Sequence, residues 1–171
     1  MRRSFLAVLF FASLAMPALA SEPVRQSIPG AQLVGEGRLT FAFWDVYDAA
    51  LYAPQGTLRD DAPHALTIRY LREIAGVKIA DRSVQEIRSL GFADEEKLAR
   101  WQVQMEKIFP DVKEGTVLTA IFIPEQKTIF YSGNSKIGEV RDAEFTQWFA
   151  AIWLDENTSE PALRAKLLGL S

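Results

Sequence analysis

The chain has 171 residues, no cysteine, one histidine and a formal charge of −3. These features exclude a disulfide framework, a thiolate metal centre and a strongly basic nucleic-acid surface. They suit a single domain long enough to bury its own core.

Residues 1–20 read as an export signal. Arg2 and Arg3 precede an apolar run from Phe5 to Leu14, and Ala18-Leu19-Ala20 supplies a small-x-small cleavage pattern before Ser21. The apolar run is too short for a retained membrane span. Cleavage after Ala20 removes two arginines and takes the charge from −3 to −5. That balance argues against nucleic acid and anionic membrane surfaces as partners. The expectation is a periplasmic or secreted protein with no stable span once the signal is removed. No cofactor and no metal are expected.

Residues 21–31 read as a loose leader ending at Pro29-Gly30, and residues 32–171 as the domain. Ala31 to Val34 is a short strand, after which Gly35 and Gly37 either bend the chain or allow close approach of another backbone. Thr40 to Tyr52 reads as one long strand, or as two strands joined at a bulge near Trp44-Asp45. Both of its faces are mainly apolar, which predicts a central strand covered on two sides. Gln55 to His64 is a loop in which His64 reads as an exposed residue, and Ala65 to Leu71 is a strand.

Helical spacing follows Gly76, with Ile79, Val84, Ile87 and Leu90 on one stripe and Gly91 as the stop. A second helix spans Ala93 to Phe109, carrying Leu98, Trp101, Met105 and Ile108. Thr116 to Ile123 and Lys127 to Ser132 form a hairpin across Pro124-Glu125-Gln126. Gly133 to Val140 reads as a loop. Asp142 caps a helix striped by Phe145, Trp148, Phe149, Ile152 and Trp153. A last helix begins near Pro161, after a Ser159 cap. Strands, two helices, a hairpin and two helices make an α+β chain, with an antiparallel sheet carrying helices on one face.

The chemistry-bearing candidates are few. With one histidine and no cysteine, neither a metal centre nor a Ser-His-Asp triad is built, and Gly35-x-Gly37 lacks the third glycine of a dinucleotide fingerprint. What remains is Arg38 among aromatic residues, with Tyr47 close by. Such a cation could hold a carboxylate or enolate while an apolar cleft holds its tail. It could equally pair with Asp45 or Asp48 within its own hairpin.

The segments GEGRLTFAFWDVYDAALYAP, LTIRYLREIAG, TVLTAIFIPEQKTIFYSG and FTQWFAAIWLDENTSEPALRAKLLG, in that order, resemble the bacterial chalcone isomerase-like family from about Gln32 to Gly169. The resemblance implies an open-faced β-sandwich with a layer of helices on a large antiparallel sheet. In plant enzymes of this superfamily a cleft between sheet and helices closes a chalcone to a flavanone, assisted by an arginine, a strand threonine, and a helix tyrosine and asparagine. In fatty-acid-binding members an arginine and a tyrosine hold the carboxylate.

Carried onto this chain, the arginine falls at Arg38, or a two-residue slip places Thr40 there, and the threonine falls at Tyr47. The helix GVKIADRSVQEIRSLG holds neither tyrosine nor asparagine, and a hydroxyl expected near IWL falls around Ala150-Ala151. The resemblance therefore implies a non-catalytic protein binding a fatty-acid-like carboxylate, with Arg38, Tyr47, Tyr70 and Tyr131 as head-group candidates. A second expectation is a filled, vestigial cleft packed by Trp44, Trp148 and Trp153, serving an unidentified protein partner. The alternative is an intramolecular lyase or isomerase acting on a chalcone-like phenolic enone.

Overall fold

A computed structural model describes residues 20–170. The expected export signal lies outside these residues except for Ala20. Six strands form one sheet: β1 (Ala31–Phe41), β2 (Trp44–Pro54), β3 (His64–Tyr70), β4 (Val117–Ile123), β5 (Lys127–Ser132) and β6 (Ser135–Val140). Each strand pairs antiparallel with the next in chain order. The helices are α1 (Glu22–Ser27), α2 (Gly76–Ser89), α3 (Glu95–Ile108), α4 (Ala143–Leu154) and α5 (Pro161–Leu167). The α+β expectation holds, with α2 to α5 layered over one sheet face.

Alternation along the strands divides the two faces. Leu51, Leu66, Ile68, Phe122 and Phe130 point to the helices and meet Ile87, Trp101, Met105, Phe145 and Leu167 in the main core. The opposite face carries Tyr52, Ala65 and Ile121, and α1 covers them with Val24 and Ile28. Residues 21–31 are thus not a loose leader. Val24 and Ile28 are spaced four apart and both are fully buried, so one turn of helix suffices to place them on the sheet.

Two further expectations change. Thr40 to Tyr52 is not one strand, because a two-residue turn at Ala42-Phe43 reverses the chain, with Ala42 at φ 55°. Residues 135–140, expected as loop, form the edge strand β6. Gly138 lies on β6 because Ile108 of α3 fills the space a side chain would need: a Cβ there would sit 2.7 Å from Ile108 Cγ1.

Caps and close approaches fix the helix layer. Asp142 Oδ1 accepts from the Glu144 and Phe145 amides at 2.9 and 3.1 Å, and Oδ2 accepts from the buried Trp101 indole at 2.9 Å, tying α4 to α3. Asp94 caps α3 through the Lys97 amide, whereas α5 starts after Glu160 without a side-chain cap. At Gly35 the backbones come together as the glycine pair suggested. A Cβ there would lie 2.1 Å from the Lys166 carbonyl oxygen, so α5 packs directly on β1. Helix α2 is different. It packs mainly on α3 and α4, and its first turn is anchored by the Gly76 amide donating to Asp111 Oδ1 at 2.8 Å.

Candidate functional site

Because α2 stands off the sheet, a cavity of about 520 Å³ opens between them, within the usual range of small-ligand sites. Its depth is apolar: Ile68, Leu118, Ala120, Phe130, Phe149 and Ile152. The same cavity meets polar groups at Tyr47, Tyr70, Arg72, Arg82, Glu86 and Glu160.

Tyr47 and Tyr70 are cross-strand partners on β2 and β3. Their rings meet edge to face at 6.1 Å. Tyr47 Oη accepts from the Trp153 indole of α4 at 2.9 Å, which leaves its own proton free to donate. Burial pushes the Tyr47 phenol up to about 12, only partly opposed by the Trp153 hydrogen bond, with the nearby charges of Glu160 and Glu86 adding to the rise. Burial raises Tyr70 as well, reinforced by Tyr47. Both phenols therefore stay protonated at neutral pH and present O–H donors.

Around them, Arg82 and Glu86 of α2 form an ion pair. Burial raises the Glu160 carboxyl, the Glu86 charge adds to that, and Arg82 opposes it. Lys78 pairs with Asp81 at 3.5 Å. Arg72 stacks its guanidinium 5.5 Å from the Trp44 ring and makes no ion pair among the described residues. It is the lining cation still available to an incoming anion.

The four sequence candidates separate. Tyr47 and Tyr70 line the cavity together. Arg38 does not, since it pairs in register with Asp48 and so shares that residue's face, the one turned away from the helices. There its guanidinium donates to Asp48 at 2.6 and 3.0 Å and to Asp45 at 2.6 Å. Thr40 Oγ1 donates to the same Asp45 at 2.8 Å, so neither Arg38 nor Thr40 reaches the cavity. Tyr131 packs with the α1 cluster on that same outer face.

Trp44 is 64% exposed at the hairpin tip and fills nothing; Trp148 and Trp153 pack against the core, and the cavity is open beside Trp153. His64 is buried at the start of β3, stacked on Phe122 at 4.9 Å, and is not an exposed loop residue.

Arg72, Arg82, Glu86 and Glu160 were missed, and Trp153, expected to fill the cleft, instead lines it. The signal for two of them was present: Arg82 and Glu86 flank the apolar stripe of α2, and a half-buried ion pair beside a helix's core face marks a polar cavity wall. Among the described residues no cluster of His, Asp and Glu could hold a metal ion, and no helix is long and apolar enough to cross a membrane.

Three comparisons bear on this geometry. A curated protein of Haemophilus influenzae, uncharacterised, is 29% identical over 139 residues, covering 81% of this chain and 68% of its own length. A crystal structure of an Arabidopsis thaliana fatty-acid binding protein superimposes with a TM-score of 0.62 at 11% identity, covering 82% of this chain and 87% of that one. At that identity the likeness is one of fold. The sequence model described as chalcone isomerase-like matches residues 25–169, which is most of the length. The chain therefore belongs to the chalcone isomerase-like family.

Proposed function

We propose that this protein binds a small apolar carboxylate, of the fatty-acid class, in the cavity between the sheet and α2, without catalysing a reaction on it. The observation that carries the reading is the cavity itself: an apolar depth with two protonated phenols and one unpaired guanidinium along its wall. The tail lies along Ile68, Leu118, Ala120 and Phe130. The head group falls to the Tyr47 and Tyr70 hydroxyls and Arg72, which supply charge-assisted hydrogen bonds. The fold shared with a fatty-acid binding protein supports the same reading. Export by residues 1–20 is part of the proposal and is read by the N-terminal sequence of the protein recovered from cells.

The test is displacement of an apolar fluorophore by a series of saturated fatty acids. Wild type should bind the acids and not the matching alkanes. Tyr47→Phe should bind about tenfold more weakly, the loss of one hydrogen bond to a charged group. Arg38→Ala should bind as wild type does, because Arg38 is on the far face. No displacement by any acid, or conversion of a chalcone to a flavanone by the same protein, would overturn the reading.

A further inference from the structure

The turn between β1 and β2 is chemically odd. A two-residue hairpin turn with a residue at positive φ ordinarily takes glycine or asparagine. Here Ala42 holds φ 55°, and the four tip residues are Phe41-Ala42-Phe43-Trp44. Phe43 is 96% exposed, Phe41 69% and Trp44 64%. These are three of the six large apolar side chains that the described residues leave exposed, gathered on four consecutive positions. Among the described residues almost nothing packs on Phe43, so burial within them does not explain it.

We infer that this aromatic tip is a docking element for a lipid bilayer, inserting Phe43 and Trp44 into the interfacial region beside the cavity mouth. Three observations point to a bilayer. Trp settles at the headgroup level, where its apolar ring and its N–H are both accommodated, and Phe beside it on a narrow tip supplies an apolar ring to bury at the acyl boundary. Arg72 lies over Trp44 and has no carboxylate partner among the described residues, so a cation free for lipid phosphate sits beside the inserting ring. The tip is also continuous with the cavity, since Phe41 belongs to both and Val46, two residues beyond Trp44, lines the cavity as well.

A ligand with an apolar tail could then move between bilayer and cavity along the tip without crossing water. That route rests on the proposed ligand class; the docking does not. The overall negative charge works against long-range attraction to anionic lipid, so the insertion is driven by apolar burial and should proceed on zwitterionic vesicles.

The experiment is flotation of the protein as purified, its N-terminus read by intact mass, with phosphatidylcholine vesicles and with vesicles doped with anionic lipid. Phe43→Ser and Phe43→Ser/Trp44→Ser are run beside wild type. Wild type should float with zwitterionic vesicles. Phe43→Ser should partition about tenfold less, as one fully exposed aromatic ring loses its burial, and the double variant should remain in solution. Soluble fatty-acid affinity, measured separately, should be the same for wild type and Phe43→Ser. If that affinity is absent while flotation depends on the tip, the ligand reading fails and the docking stands. Wild type that does not float, flotation unchanged in the double variant, or a dimer lost with Phe43 in place of flotation would each overturn the inference.

Discussion

Replacing Ala120 by leucine tests whether the cavity is real space. Ala120 sits on β4 between Leu66 and Phe130 on the neighbouring strands and faces the cavity. The substitution adds three carbons, and about 0.8 kcal/mol for each buried carbon gives about 2.4 kcal/mol. Ordering the leucine side chain returns roughly 0.5–1 kcal/mol of that. A net gain of about 1.5 kcal/mol is expected in urea unfolding, or about 3–6 °C in Tm for a chain of this size. Overpacking a filled core would instead cost about 1–3 kcal/mol.

The same three carbons displace part of a bound tail. A fatty acid at a hundred times its Kd should stabilise wild type by about 2.7 kcal/mol, and Ala120→Leu by much less. The order of the two stabilities should therefore reverse when ligand is added. Destabilisation of the unliganded variant by 1 kcal/mol or more would refute the reasoning, because no free volume would then exist at that wall.

Three other outcomes are expected. Gly35→Ala places a Cβ against the Lys166 and Leu167 carbonyls and should cost about 1–3 kcal/mol in urea unfolding; an unchanged midpoint would show that α5 does not rest on β1. Asp142→Ala removes the α4 cap and orphans the buried Trp101 N–H. It should cost about 2–4 kcal/mol, and an unchanged unfolding midpoint would show that neither the cap nor the Trp101 hydrogen bond supports the fold. His64 Nδ1–H donates to the Ala62 carbonyl, Nε2 has no partner among the described residues, and burial lowers its pKa. The unfolded chain therefore takes up a proton on acidification before the native one does. Stability contributed at this site is present above about pH 6.5 and falls as the pH drops below it; a slope just as steep in His64→Leu would contradict this.

How much could be read from the residues differs from element to element. The β4–β5 hairpin was legible because two runs of strand-forming residues flank a Pro-Glu-Gln turn, and Asp142 was legible as a cap because it precedes an apolar stripe. Gly35 was legible as a close approach, though not which backbone arrives. The side of the sheet that Arg38 occupies was not legible. Its face follows from pairing with Asp48 across a hairpin with two register shifts, and a slip of one residue in such a pairing exchanges the faces.

The aromatic run at the tip looked like core because phenylalanine and tryptophan usually are core; only the reversal at Ala42 exposes them. The cavity was beyond the sequence for a different reason. It arises from the stand-off of α2, which is set by the Gly76–Asp111 anchor and by helix-on-helix packing, and no local pattern encodes that distance.

The most direct test of the central claim is native mass spectrometry of the wild-type protein, purified without detergent and then incubated with a mixed series of saturated fatty acids. The account predicts one bound acid per chain, released on fragmentation as a carboxylate anion. A bare protein mass before and after incubation would contradict it.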